Sequence, residues 1–295
     1  MNKSYDGDDI RRQLLAGFPA TDRRIDVAGI PTAVLAGGDG PPLVLLHGPG
    51  EFAATWMRVM PDLMETHRVI APDLPGHGAS GVGEGPLKAD RVLAWLGDLI
   101  ERTCASRPVV AGHLLGGAIA ARFACDHGDR IARLVLVDTY GLGRFRPAPK
   151  FALALARFMA RPSERAQDKL MGACMTDLGR LREQLGTRME LLEAYALDRA
   201  RAPGQKAALR SLMPQFAMPS IPDADLARIA VPTSLICGRH DLQVRLKVVE
   251  AASARYGWPL HVIENAADDP AFEQPEAFLD ALRTEIGTPL SPHIT

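Results

Sequence analysis

Short apolar runs alternate with amphipathic helical patterns along most of the chain. The runs occupy residues 42–46, 68–71, 108–111, 134–137, 233–237 and 260–263. They are apolar almost throughout and end at polar, glycine or proline residues, as strands buried on both faces of a parallel sheet do. Apolar stripes at helical spacing lie between them, for example over residues 56–64 and 92–100. The pattern predicts a mostly parallel α/β sheet flanked by helices, with polar groups at its carboxyl edge.

The strand rhythm is interrupted once, over residues 141–230, where the pattern is helical and broken by prolines. We therefore expect an N-terminal segment (residues 1–23), a core (24–140 and 231–295) whose residues 24–27 and 32–35 form a leading hairpin, and a helical cap (141–230). The cap carries 15 Lys and Arg against 9 Asp and Glu. These charges belong either to solvated helix faces or to a basic lid over a pocket for an anionic ligand.

Composition excludes several partners. The formal net charge of -1 argues against nucleic acid and against an anionic membrane surface. No run approaches the roughly 20 apolar residues that span a bilayer, and the polar N-terminus lacks the apolar core of a signal peptide. The four cysteines are far apart with no CxxC pair, which predicts reduced thiols in a cytoplasmic protein rather than a disulfide framework.

Five motifs then occur in a fixed order. They are His47-Gly48-Pro49-Gly50, the stretch DLPGHGAS over residues 73–80, GHLLGG over 112–117, GRHD over 238–241 and NAADDPAFEQPE over 265–276. In this order they resemble the motifs of the α/β-hydrolase superfamily, and the resemblance covers residues 24 to 286. It implies an α/β-hydrolase core with the cap inserted between the sixth and seventh core strands.

The resemblance also assigns a serine, an acid and a histidine, which act together in the family. The serine position holds Leu114, the acid position Asp241 and the histidine position Asp268, which precedes Pro270 by two residues. Leucine cannot act as a nucleophile, so the residues do not support serine chemistry. Because leucine gains nothing from a strained turn, we expect the backbone at Leu114 to be relaxed.

The oxyanion loop departs from the family as well. One amide would come from Leu115, and the other from Pro49, which has no N–H to donate; Gly50 is the alternative donor. Other pocket candidates at the strand ends are His47, Gly48, His113, Asp138 and His240. Buried histidines of this kind are more often structural than catalytic, and His240 could equally be exposed.

The remaining chemistry lies with carboxylates. Asp268 is expected close to Asp241, and two carboxylates in one site cannot both ionise cheaply, so one would hold a proton and the pair could act as general acid and base. The alternative is that Asp268 or Asp269 points to water or caps the following turn. A metal site from these aspartates and Glu273 is disfavoured because no histidine shares a ligand spacing with them, and no cofactor is expected.

Two functions follow. The first is an enzyme other than a serine hydrolase, which uses Asp241 and Asp268 for proton transfer, hydration, elimination or cyclisation. The second is a pseudoenzyme that binds a small ligand or a partner protein. A weak hydrolase with an unrecognised nucleophile is a minor alternative to these two. The ligand expected is a small apolar or amphipathic molecule, anionic if the cap is a basic lid, in an apolar pocket floored by Leu114. Raised carboxyl pKa values would favour the enzyme, and a sealed cap would favour the pseudoenzyme.

Overall fold

One eight-stranded sheet organises the molecule. The computed structural model describes residues 6–287. Its strands are β1 (Thr21–Val27), β2 (Ile30–Gly37), β3 (Pro42–Leu46), β4 (Arg68–Pro72), β5 (Val109–His113), β6 (Arg133–Val137), β7 (Thr233–Gly238) and β8 (Leu260–Ile263). The sheet order is β1-β2-β4-β3-β5-β6-β7-β8. Strands β3 to β8 are parallel, and β1 and β2 form an antiparallel hairpin joined to β4, so the predicted sheet and hairpin are confirmed.

Burial explains why the central strands are continuous apolar runs. Every residue of β3 and β7 is buried. Successive residues of β3 contribute to different layers: Val44 and Leu46 belong to one hydrophobic cluster, Leu43 and Leu45 to the other. The edge strand β1 is mostly exposed and polar, which protects the end of the sheet from pairing with another chain.

Helices cover both faces of the sheet. Those of the core are α1 (Gly7–Leu14), α2 (Met60–Met64), α3 (Ala89–Thr103), α4 (Leu115–His127), α11 (Leu246–Tyr256), α12 (Pro270–Glu273) and α13 (Pro275–Ile286). Between β6 and β7 lie α5 (Pro149–Ala160), α6 (Glu164–Cys174), α7 (Leu178–Leu185), α8 (Thr187–Arg201), α9 (Pro203–Leu212) and α10 (Asp223–Leu226). Across residues 6–287 no helix is both long and apolar enough to cross a membrane.

The inserted helices pack onto the core rather than standing apart from it. Tyr195 of α8 is buried in the same cluster as Phe52, and Leu212 of α9 is buried in the cluster that contains Leu114. The first helix, α1, is also attached to the core. Its buried Arg11 donates to Asp22 at 2.9 Å and to the buried Asp73 at 2.8 Å, so residues 6–27 form part of the packed structure.

Candidate active site

A sharp turn connects β5 to α4, and Leu114 lies at its tip. Leu114 has φ 45° and ψ -104°, a region that residues with a Cβ rarely adopt. The expectation of a relaxed turn is therefore wrong. Close packing of glycines imposes the geometry: a Cβ on Gly112 would lie 2.6 Å from backbone atoms of Gly116, and one on Gly116 would lie 2.4 Å from the carbonyl oxygen of Leu46. The turn is set by the approach of α4 to the sheet, whatever side chain stands at its tip.

The side chain of Leu114 does not face a pocket. Only 1% of its surface is exposed, and it belongs to the same hydrophobic cluster as Ala208, Leu212 and Phe216, residues of the inserted helical region. Leu114 lines neither of the two cavities described below. Neither of these two cavities is therefore the apolar pocket expected above Leu114, whose side chain is part of the buried core.

The loop after β3 is held by its own histidine. The ring of His47 is fully buried; Nδ1 donates to the carbonyl oxygen of Gly48 at 2.7 Å, and Nε2 accepts the backbone N–H of Leu74 at 2.9 Å. Burial lowers the pKa of His47. A ring that donates through one nitrogen and accepts through the other is neutral, so His47 fixes the loop and is not available as a proton donor.

Sequence reasoning missed Glu51, which follows this loop. Its carboxylate folds back and accepts the backbone N–H of Gly48 at 2.7 Å. Pro49 has no N–H, and the carbonyl of Gly50 accepts from Gln205. A resident negative charge beside the loop opposes the build-up of a second one there. Leu115, the other expected amide donor, is the buried first residue of α4.

His113, the last residue of β5, makes an ion pair with Glu51. The distance from His113 Nδ1 to Glu51 Oε2 is 3.2 Å, and Nε2 donates to the backbone carbonyl of Asp268. Both ring nitrogens therefore face acceptors, which favours the imidazolium. Burial opposes the charge, but the Glu51 carboxylate outweighs it and raises the pKa of His113 well above its ordinary value. In return, burial of Glu51 is outweighed by His113, and the pKa of Glu51 is lowered.

Asp241 and Asp138 meet at the carboxyl ends of β6 and β7. The Asp241 carboxylate accepts the N–H groups of Gln243 at 2.6 Å and Val244 at 2.9 Å, yet burial raises its pKa to about 6. Asp138 accepts the N–H of Gly238 at 3.1 Å through one carboxylate oxygen and at 3.2 Å through the other. Burial and then the charge of Asp241 raise the pKa of Asp138 well above its usual range. Of these two carboxyl groups, Asp138 is therefore the one that more readily holds a proton.

Asp268 faces the same group from the loop after β8 and is 5% exposed. Burial, followed by the charge of Asp241, raises the pKa of Asp268 well above its usual range. Its Oδ2 accepts from the amide of Gln243, whose Oε1 accepts from the hydroxyl of Tyr140. Asp268 therefore points into the protein, whereas the neighbouring Asp269 accepts the N–H of Phe272 and caps α12.

Glu51, His113 and Asp269 place ligand-type atoms within 4.8 Å of one another. The sequence places no histidine at ligand spacing from Asp269, but the fold brings His113, the last residue of β5, close to it. Each of the three already has a partner in the protein, as described, and Glu273 accepts from Thr176 and Ala267. We assign no metal to these residues.

Two cavities open at this end of the sheet. The first, of about 250 Å³, is lined by buried Tyr140 and Gln243, by residues 143–146, and by 244, 245, 247 and 248. The second, of about 280 Å³, is lined by Thr176, Glu273 and the exposed His240, among others. Gln243 therefore stands between the first cavity and Asp268, while His240 belongs to the second.

A sequence model of the alpha/beta hydrolase family matches residues 43–281, a span that includes the elbow turn and both acidic loops. The chain belongs to the alpha/beta hydrolase family. The chain is 28% identical to a pimeloyl-[acyl-carrier protein] methyl ester esterase of Aeromonas hydrophila, over 85% of this chain and 97% of the relative. It is 31% identical to the magnesium-chelatase 30 kDa subunit of Rhodobacter capsulatus over 74% of this chain and 76% of the relative.

Solved structures give the same fold. The carboxylesterase CesB of Bacillus subtilis superposes with a TM-score of 0.81 at 21% identity, covering 96% of this chain and 98% of that one. Within the alpha/beta hydrolase fold, this chain presents Leu114 at the tip of the elbow and Asp268 beside Asp241.

Proposed function

We propose that this alpha/beta hydrolase family member is an acid/base enzyme that does not use a serine nucleophile. The observation that carries the proposal is the position of Asp268: a buried carboxyl group beside Asp241, joined by one amide to the wall of a cavity. Burial and the charge of Asp241 raise the pKa of Asp268 well above its usual range and favour the protonated acid, whereas burial raises the pKa of Asp241 only to about 6, so Asp241 ionises more readily. Two carboxyl groups whose environments separate their protonation states can act as acid and base.

The substrate would enter the first cavity and meet the side chain of Gln243. Rotation of that side chain would bring the cavity into contact with Asp268, which donates a proton while the Asp241 carboxylate accepts one. The His113–Glu51 ion pair positions the acid, since His113 holds the backbone carbonyl of Asp268. The reactions compatible with these groups are proton transfer, hydration, elimination or cyclisation of a small amphipathic molecule.

Ester hydrolysis, which the name of the Aeromonas relative states for that protein, is not part of the proposal. It needs a nucleophile, and the elbow tip is a buried aliphatic side chain. We expect that a fluorophosphonate probe for activated serines will not label the protein. Stoichiometric labelling of any serine would instead support the weak-hydrolase alternative.

Proton transfer can be tested without knowing the substrate. The protein is incubated in D₂O with a panel of small ketones and keto acids, and loss of the proton α to the carbonyl is followed by ¹H NMR. We expect catalysed exchange with wild type, a reduction of about 100-fold or more in Asp268→Asn, and full exchange in Asp280→Asn, a matched change at an exposed aspartate of α13. Exchange that survives in Asp268→Asn would contradict the role of Asp268.

A second function, ligand binding without turnover, is favoured by the burial of these side chains. Leu114 is 1% exposed in a hydrophobic cluster that also contains Leu212 and Phe216, and Asp268 is nearly inaccessible. If this protein only binds its ligand, no member of the panel exchanges, and Asp268→Asn leaves the affinity for a bound ligand unchanged. Mass spectrometry of the protein purified without added ligand would identify a molecule retained from the cell.

A further inference from the structure

The first cavity has a strongly one-sided charge. Four cationic side chains line it, Arg144 and Arg146 from the loop after β6 and Arg245 and Lys247 from the segment after β7. No aspartate or glutamate is among the residues that line it. All four cations are exposed, so they are free to reorient toward a bound group. Two separate segments of chain thus bring positive charge to one opening of about 250 Å³.

In the part of the chain that the structure describes, these four cations also have no ion-pair partner. Within residues 6–287, none of them has a carboxylate oxygen within 4.0 Å. Some exposed arginines elsewhere do form ion pairs: Arg182 contacts Asp168 at 2.7 Å and Glu193 at 2.8 Å, and Arg228 contacts Asp126 at 2.9 Å. What distinguishes the cavity is that its lining gathers four cations from two segments and contains no carboxylate to neutralise them.

The interior of the cavity has a different character from its rim. Phe145, Val244 and Val248 supply apolar wall, and the ring of Phe145 lies edge-on to Tyr140 at 5.3 Å between centroids. Deeper in, the hydroxyl of Tyr140 and the amide of Gln243 are hydrogen-bonded to each other. A ligand that fits must place negative charge at the rim and a small apolar body against the aromatic wall.

We propose that this cavity binds a small phosphate monoester through Arg144, Arg146, Arg245 and Lys247, with its organic group against Phe145. Guanidinium groups pair with phosphate through two parallel hydrogen bonds, and a doubly charged phosphate matches several cations better than a single carboxylate does. The limited volume excludes large cofactors, since pockets for drug-sized ligands are about 300–1,000 Å³.

This inference refines the general expectation of a basic cap. Of the cap's basic residues only Arg144 and Arg146 line the cavity, and the other half of the charge comes from the core, at Arg245 and Lys247. The proposal does not depend on turnover, because binding of a phosphate ester at the rim requires neither Asp268 nor movement of Gln243. A failure of the exchange experiment would leave it intact.

The test is isothermal titration calorimetry of the full chain with phenyl phosphate, inorganic phosphate and phenol at low and at moderate ionic strength. We expect phenyl phosphate to bind more tightly than inorganic phosphate, phenol to bind negligibly, and the affinity for phenyl phosphate to fall as salt is added. Two charge-removing pairs, Arg144→Gln with Arg146→Gln and Arg245→Gln with Lys247→Gln, should each weaken phenyl phosphate about tenfold or more.

The control removes the same charge elsewhere. Arg165→Gln with Lys169→Gln changes one arginine and one lysine, both exposed on α6, and should leave the affinity within about twofold of wild type. The two cavity variants lie on different segments of the chain. If one of them misfolds, the other still tests whether the cavity cations bind phenyl phosphate. Equal binding of phenol and phenyl phosphate, or equal weakening in the control and cavity variants, would overturn the proposal.

Discussion

The backbone conformation at Leu114 predicts that a glycine variant is at least as stable as an alanine variant, which is opposite to the usual order. In most positions glycine is less stable than alanine by roughly 0.5–1 kcal/mol, because the unfolded chain gains freedom. At φ 45° and ψ -104° the order should reverse. A residue with a Cβ in such a region carries a strain of about 1–3 kcal/mol, and glycine carries almost none. We therefore expect Leu114→Gly to be as stable as Leu114→Ala, or more stable by up to about 2 kcal/mol.

Both variants should be less stable than wild type. Leu114 is 1% exposed and belongs to a large buried hydrophobic cluster, so truncation to alanine should lower the free energy of unfolding by about 2–5 kcal/mol. The comparison between alanine and glycine cancels most of this loss, since both lack the leucine side chain. What remains is the backbone contribution at one position.

The measurement is urea unfolding of the two variants, followed by circular dichroism. Ala152→Gly, at an exposed site in α5, is the matched control and should destabilise by about 1 kcal/mol as in any helix. If Leu114→Gly is less stable than Leu114→Ala by the same margin as the control, then the turn is not strained and the reasoning from glycine packing fails.

Other outcomes can be checked independently. Asp241 has a folded pKa of about 6 against an ordinary 3.8, so the native state holds an extra proton between these values and stability should fall as pH rises from about 4 to 6, by about 3 kcal/mol from this group. Urea unfolding of Asp241→Asn should show a flatter pH dependence, and an unchanged slope would contradict the shift. Arg11→Met should lower the free energy of unfolding by about 3–5 kcal/mol because it leaves Asp73 buried without its cation; a loss under 1 kcal/mol would refute this. Neither Leu114→Ser nor Asp268→His alone should hydrolyse a small activated ester, whereas the two together should give a measurable burst that remains weak. Equal activity in Leu114→Ser alone would show that another residue supplies the base.

The strands were predictable because their signal is local. A run such as residues 42–46 is apolar at every position, and full burial on both faces is what makes it so. The hairpin of β1 and β2 and the insertion between β6 and β7 followed from the same kind of evidence. Such features depend on neighbours within a few residues, and the printed sequence contains them.

The site was harder to predict because its contacts join distant positions. Glu51 and His113 are 62 residues apart, and nothing near either residue signals that their side chains meet. Leu114 shares a buried cluster with residues of α9, about 95 residues further along the chain, and nothing in the elbow motif signals that burial. The expectation of a relaxed turn is wrong for a related reason. It rests on the loss of the nucleophile, whereas the close approach of Gly112 and Gly116 to neighbouring backbone fixes the turn.

The hydrogen-bond chain from Tyr140 through Gln243 to Asp268 has a single direction. The tyrosine hydroxyl donates to the amide oxygen, and the amide nitrogen donates to Oδ2 of Asp268. This hydrogen bond favours the tautomer of the neutral acid that carries its proton on Oδ1, because the carbonyl oxygen of a carboxylic acid is a better acceptor than its hydroxyl oxygen. A carboxamide does not pass protons along as a hydroxyl or an imidazole does. While Gln243 keeps this orientation, Asp268 has no route by which to pass a proton to a molecule bound in the neighbouring cavity. The rotation of one amide side chain would then control when the proton is delivered.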